Sequence, residues 1–223
     1  RIGKTAFELL TDEKQIAGML SQIYVQEAGE YPTESELQSA RSYITYIKNS
    51  MLSEHEIREF EKECEGIPIA RIYQRYCSRM WEEKLMDYDD QLLHAYTILK
   101  KVPQVLSDFQ KKYHYICVDE AQDTSRIQHE IIKLLAGAND NLFMVGDEDQ
   151  SIYGFRAAYP EALLSFESTY PEGKILLMEE NFRSDGAIVS AADRFIQKNK
   201  LIHKKNMKAS RDMVKDIRLI EVK

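Results

Sequence analysis

The chain has 223 residues, of which 43% are hydrophobic and 30% charged, with a formal net charge of −7. This is long and apolar enough to bury a core in one large or two small domains, and it excludes a disordered polyelectrolyte. No run reaches the roughly 18 apolar residues of a membrane helix, and Arg1-Ile2-Gly3-Lys4 lacks a signal-peptide core, so a cytoplasmic protein without a membrane partner is expected.

From Thr11 to about Leu99 the chain is poor in Gly and Pro, and Ile16, Met19, Leu20, Ile23 and Tyr24 recur at helical spacing. Glu34-Ser35-Glu36-Leu37, Ser53-Glu54-His55-Glu56 and Asp87-Tyr88-Asp89-Asp90 put capping oxygens and acidic side chains where new helices begin, so this region predicts a helical bundle. Near Tyr113 the pattern changes. Short apolar runs at His114–Val118, Leu142–Val145 and Ile175–Met178 alternate with helical segments, which predicts parallel strands with crossover helices. Thr124 and Ser125 are cap candidates for a helix over Ile127–Leu135, and Pro160 suits the first turn of one over Glu161–Phe166.

Cys64, Cys77 and Cys117 have neither disulfide nor metal spacing and read as reduced core thiols. The acidic balance argues against a surface wholly coated by nucleic acid, although nine Lys/Arg face three Asp between Asp193 and Arg218, a stretch that otherwise reads as a solvated basic helix and loop. The opening at Arg1 without Met, with the alternating close Asp216–Val222, leads us to expect a segment of a longer polypeptide.

The run His114–Val118 leads into Asp119-Glu120, two carboxylates at the carboxyl edge of a parallel sheet, where open α/β folds bind ligands. There one carboxylate can hold Mg²⁺ while its neighbour orients or deprotonates water. A bare V-D-E would equally serve as an acidic turn capping the next helix. The longer segment Val118-Asp119-Glu120-Ala121-Gln122-Asp123-Thr124 resembles motif II of the UvrD/Rep-like superfamily-I helicases. Gly146–Ala158, reading GDEDQSIYGFRAA, is similar to motif III, and Glu179-Glu180-Asn181-Phe182-Arg183-Ser184 to motif IV, in the family's order. Arg1-Ile2-Gly3 followed by Phe7–Leu10, the Asp87–Asp90 cluster and Lys204-Lys205 also have family counterparts, so the resemblance covers nearly the whole chain.

The resemblance implies an ATP- and Mg²⁺-dependent DNA helicase with 3′-to-5′ travel, acting on single-stranded DNA and duplex junctions. Asp119 would be the Mg²⁺-side carboxylate, Glu120 the water-activating base, and Gln150 the sensor linking the terminal phosphate to DNA-contacting residues. Tyr153 and Phe155 would stack on unpaired bases, a contact worth about 1–3 kcal/mol per base. Phe155 stands where many relatives carry Trp and offers a smaller face. Arg156 would tie this loop to the ATP site or to phosphate. Phe182 would stack on adenine, and Arg183 would be an arginine finger, for which the plain alternative is an ion pair with Glu179 or Glu180.

Gly3-Lys4-Thr5 is not expected to end a phosphate-binding loop G-x-x-x-x-G-K-S/T, because such a loop opens a helix at its Lys, whereas Phe7–Leu10 followed by Thr11-Asp12-Glu13 reads as a short extended piece before a helix cap. The expected fold is therefore α/β: a partial RecA-like P-loop NTPase motor domain with a parallel sheet and an inserted, mainly helical subdomain. Residues 1–90 would form the helical subdomain, 91–178 the later part of the first motor domain, and 179–223 the start of a second. The isolated chain is expected to be inactive and to depend on the remaining segments of a parent helicase. Two alternatives stay open: a non-catalytic nucleic-acid-binding or interaction module retaining the fold, and the motor part of a helicase–nuclease.

Overall fold

A computed structural model describes residues 6–137, 141–151, 154, 157–199 and 205–211. In chain order these form β1 (Glu8–Leu9), α1 (Glu13–Ala28), α2 (Glu34–Asn49), α3 (Glu54–Glu61), α4 (Ile69–Glu82), β2 (Leu85–Met86), α5 (Tyr88–Lys101) and α6 (Pro103–Lys112). There follow β3 (Ile116–Val118), α7 (Arg126–Ala136), β4 (Leu142–Met144), α8 (Glu161–Leu164), α9 (Phe166–Thr169), β5 (Glu180–Asp185), α10 (Gly186–Ile196) and β6 (Lys208–Arg211). Among the described residues no helix is long and apolar enough to cross a membrane.

The helical half forms as its periodicity dictates. All five apolar residues that mark one face of α1 are buried, and they pack with Ile44 and Ile47 of α2 and with Ile69, Ile72, Tyr76 and Met80 of α4 into one core. Each fully buried aliphatic side chain contributes about 1.5–3 kcal/mol relative to exposure. Three helices begin in reciprocal capping boxes, Thr33 with Glu36, Ser53 with Glu56 and Asp87 with Asp90, satisfying amides that a helix leaves unpaired. Helix α1 stops at Gly29, which adopts the left-handed conformation (φ 84°) that a residue without Cβ accepts cheaply. Strand β1 pairs in parallel with β2, and Leu10 behind it enters the core.

A group of buried charges lies between α2 and the start of α5. The Lys48 ammonium, its side chain 1% exposed, sits 2.7 Å from both Asp87 Oδ2 and Asp90 Oδ1. Tyr76 Oη also donates to Asp87, and Asp89 accepts from Thr45 and Asn49.

The expected crossover is present: β3 leads through α7 to a parallel β4, in register Ile116 with Leu142 and Val118 with Met144. Ser125 starts α7, its N–H and hydroxyl both donating to Gln128 Oε1. Helix α7 packs on α5, α6 and α2 and so fixes the strand pair to the bundle.

Several expectations are corrected. Among the described residues the strands form three parallel pairs, so the parallel sheet expected for the motor domain is seen only as the pair β3–β4. Ile175–Met178 is no strand: it has no ladder partner among the described residues, and Leu176 and Met178 stay open, each at 82% exposure, while Ile175 is half-buried. The third strand forms instead from Glu180–Asp185, joined through α10 to parallel β6, with a register shift between Asn181 and Asp185. The helix after Pro160 breaks at Ser165 into two single turns. Of the three thiols, all free, Cys64 is buried and pushed up to about 11 by that burial, Cys77 is half-buried, and Cys117 is exposed. The strand pattern at Asp216–Val222 and the tripeptide Gly3-Lys4-Thr5 lie outside the described residues.

Candidate nucleotide site at the ends of β3 and β4

Strand β3 ends at Val118, and the chain then turns through Asp119 and Glu120 into a single 3-10 turn, Ala121–Asp123. Glu120 takes left-handed backbone angles (φ 49°, ψ 44°), an uncommon conformation for a residue with a side chain and one that concentrates at functional turns. The turn is pinned from both sides. Val145 N–H donates to Val118 O at 2.8 Å, and Ala121 N–H to Val145 O at 2.9 Å. Both acidic side chains are thereby left exposed at the carboxyl end of β3.

Strand β4 delivers the second half of the site. Beyond it, Asp147 caps another 3-10 turn, Glu148–Gln150. The two halves are joined by Gln122, which is 1% exposed. Its Nε2 donates to Glu120 Oε2 at 2.8 Å, and its Oε1 accepts Asp147 N–H at 2.9 Å. Its backbone carbonyl accepts Ser151 Oγ at 3.2 Å. Asp147 Oδ2 in turn accepts Gln150 Nε2 at 2.8 Å. Glu120, Gln122, Asp147 and Gln150 therefore form one continuous hydrogen-bonded chain between the strand ends.

Gly146 makes this approach possible. A Cβ there would lie 2.9 Å from both Gln122 Oε1 and Leu163 Cδ1, and 3.2 Å from the Ala121 nitrogen. Gly146→Ala is expected to cost about 1–3 kcal/mol as an overpacking substitution, read as a shift of the urea unfolding midpoint. An unchanged midpoint would show that the turn yields freely.

Lys205 reaches into the same turn from 58 residues away. Its ammonium lies 2.5 Å from Asp147 Oδ1, 3.1 Å from Asp149 Oδ2 and 3.3 Å from Glu148 Oε2. Burial pulls Lys205 down, but these carboxylates outweigh it and hold the ammonium above its ordinary value. Burial pushes Asp147 up, yet hydrogen bonds from Lys205 and Gln150 keep it below the usual range; Asp149 is raised, chiefly by burial, despite Lys205. Lys205 is thus not part of a solvated basic surface. Asp123 Oδ1 and Asp149 Oδ1 are buried without a hydrogen-bond partner among the described residues.

On the other flank of motif II, Thr124 Oγ1 donates to Ala121 O and lies 2.6 Å from His129 Nε2. Burial holds His129 below its ordinary value. Because the Thr124 hydroxyl gives its own proton to Ala121 O, the contact is a hydrogen bond when the ring carries a proton on Nε2.

Phe182 and Arg183 sit on β5, both exposed. Asn181 Oδ1 accepts the N–H groups of Arg183 and Ser184, a side-chain turn at the place where the β5–β6 register shifts. Glu179 Oε1 is taken by Asn206 N–H, and the ion pairs seen among the described residues do not include one from Arg183 to Glu179 or Glu180. Lys205, three residues before β6, links this strand pair to the Asp147 turn. Of the expected site residues, Asp119, Glu120 and Gln150 come together; Arg183 and Phe182 lie on β5; Tyr153, Phe155 and Arg156 fall outside the described residues. Gln122, Asp147, Gly146 and Asn181 were legible only as motif letters. Their hydrogen-bonding roles come from pairings across the fold.

Comparison with known proteins assigns the sequence to a family. The sequence model described as UvrD/REP helicase N-terminal domain matches residues 2–171, which include the whole chain from Glu120 to Gln150 but not β5 or Lys205. Two relatives called ATP-dependent DNA helicase PcrA, from Staphylococcus epidermidis (strain ATCC 35984) and Staphylococcus aureus (strain Mu50), are each 36% identical over 156 residues, 70% of this chain. That stretch is 21% of each relative, so the chain spans about a fifth of their length. With motifs II and III inside the matched residues and the carboxylates set at parallel strand ends, the chain belongs to the UvrD/REP helicase N-terminal domain family.

Proposed function

We propose that this chain is part of an ATP-dependent DNA helicase whose parent protein couples ATP hydrolysis to movement along single-stranded DNA and to unwinding at duplex junctions. The observation that carries this reading is the hydrogen-bonded chain Glu120–Gln122–Asp147–Gln150, which ties the hydrolytic carboxylate to the turn leading toward Tyr153 and Phe155. In this reading residues 1–90 are a helical subdomain inserted in a RecA-like motor domain that continues over 91–178, and 179–223 opens a second motor domain. The confinement of the main core to Leu10–Met80 supports the first boundary.

The chemistry assigned to the site is hydrolysis of the terminal phosphate. Glu120 accepts a proton from water as the water oxygen bonds to the γ-phosphorus; the bond from that phosphorus to the β-phosphate oxygen breaks, and ADP leaves. Asp119 offers the hard carboxylate oxygens that Mg²⁺ prefers, and the ion would neutralise charge on the phosphates. Its Oδ1 already accepts Glu120 N–H at 3.0 Å, which fixes the Asp119 carboxylate against the backbone of the turn. Gln150 reads the terminal phosphate, Phe182 stacks on adenine and Arg183 supplies a planar cation to the transferring group. Tyr153 and Phe155 stack on bases, and Arg156 holds their loop.

The test is ATP hydrolysis by the parent protein with and without single-stranded DNA, together with strand separation on a junction. Hydrolysis stimulated by DNA is the expected result. DNA binding without hydrolysis would overturn it and favour a non-catalytic module. A second expected result concerns this chain alone. The sequence contains no G-x-x-x-x-G-K-S/T, whose amides and Lys grip the phosphates, so calorimetric titration should give an ATP affinity weaker than about 1 mM. A micromolar affinity would sink that expectation.

A further inference from the structure

We propose that Gln122 is a positioning residue for ATP hydrolysis: its buried amide sets the orientation of the Glu120 carboxylate and makes it depend on the Asp147–Gln150 turn. This rests on the reading of Glu120 as the base. Glu120 is exposed and its backbone is left-handed, and the hydrogen bond from Gln122 is the contact that holds its carboxylate among the described residues. The donor is Gln122 Nε2, 2.8 Å from Glu120 Oε2. An amide donor engaging one carboxylate oxygen leaves the other, Oε1, to take the proton from water.

Gln122 itself has no freedom to wander. It is 1% exposed, its Oε1 is held by Asp147 N–H, and Gly146 leaves no spare space beside that oxygen. The carboxamide is planar, so fixing Oε1 fixes Nε2. Any shift of Asp147, which also carries the Gln150 amide and the Lys205 ammonium, is therefore passed to Glu120 through one rigid group. The residue reads in the sequence as one letter of motif II. Its burial and its divided hydrogen bonding give it a task separate from that of either carboxylate.

Gln122→Glu in the parent helicase isolates this task. The variant is isosteric and keeps an acceptor for Asp147 N–H, but it replaces the donor to Glu120 with a second carboxylate oxygen. Two carboxylates at hydrogen-bond distance cannot both ionise freely, so the proton is retained to higher pH. The expected result is a kcat lowered by about tenfold or more at neutral pH, with its acidic limb displaced upward by about one pH unit or more. KM for ATP should stay within about threefold, because the phosphate contacts are untouched. Loss of amplitude with an unmoved limb would mean that Gln122 only supports the fold, and would overturn the proposal, as would a wild-type profile. Gln122→Met, uncharged and of similar length, gives a second arm should the glutamate variant fold poorly; it should lower kcat without raising KM, and wild-type kcat would count against the proposal. Glu120→Gln in the same background separates the two levels. If it leaves kcat intact the base assignment fails, whereas if it abolishes hydrolysis while Gln122→Glu does nothing, only the role of Gln122 fails.

Discussion

Glu120→Gln in the parent helicase is expected to lower kcat for ATP hydrolysis by about 10²–10⁴-fold, the range that a positioned general base supplies. At about 1.4 kcal/mol per decade this adds roughly 3–5 kcal/mol to the barrier. The replacement keeps shape and can still meet the Gln122 amide through its own carbonyl, so the 2.8 Å contact has an isosteric substitute and the fold is preserved. Affinities for ATP and for single-stranded DNA should therefore remain within about threefold, and the loss should appear in the chemical step alone. Single-turnover hydrolysis with nucleotide binding measured in parallel checks this. Strand separation persisting with wild-type ATPase would refute the assignment.

Lys48→Met is expected to reduce the unfolding free energy of this chain by about 3–5 kcal/mol, a large share of the roughly 5–15 kcal/mol that holds a domain together. The ammonium is buried against two carboxylates that are each 16% exposed, and it also lies 5.1 Å from the centre of the Tyr76 ring. Removing it strands like charges between α2 and the first turn of α5. The dipole of α5 and the Asp87–Asp90 capping box offset part of that cost but supply no counter-ion. The pH dependence follows from the same geometry. Burial would lower Lys48, but Asp87 and Asp90 prevail and raise it, so its contribution is whole below about pH 10.4 and fades as pH rises through the higher folded value. Burial would raise Asp87, but Lys48 prevails and lowers it, so its contribution is present above about pH 4 and is lost as pH falls through the lowered value. Asp89 is raised, chiefly by burial, and opposes the acid loss in part. Urea melts of both proteins should differ by a constant amount from about pH 5 to 9 and converge toward acid. If the difference instead stays below about 1 kcal/mol, the cluster behaves as an exposed ion pair would.

What could be read from the sequence was whatever a short window decides. The face of α1 follows from 3.6-residue spacing alone, and the three capping boxes are spelled by residues three apart, although the α2 box begins one residue earlier than the Glu34 run suggested. Asp119 and Glu120 were placed at a strand end because an apolar run precedes them. The failures share a cause in long-range pairing. Ile175–Met178 has the composition of a strand, but a strand exists only where another chain segment completes its ladder, and that ladder forms around Asn181 instead. Gln122 finds its acceptor role 25 residues away at Asp147, and Lys205 its carboxylates 58 residues back, separations that carry no periodicity to detect. Exposure of Cys117 likewise depends on what lies across β3, which composition does not specify.

The Lys205 contact has a mechanical meaning. The principal packing partners of β5, α10 and β6 are one another, so the ammonium is a main tie between that unit and the acidic turn. Three carboxylates within 3.3 Å of one nitrogen let the ammonium step between acceptors without leaving the turn, and the four-carbon stem gives it slack. Because the contact is partly buried, its grip should weaken with added salt more slowly than that of an exposed ion pair.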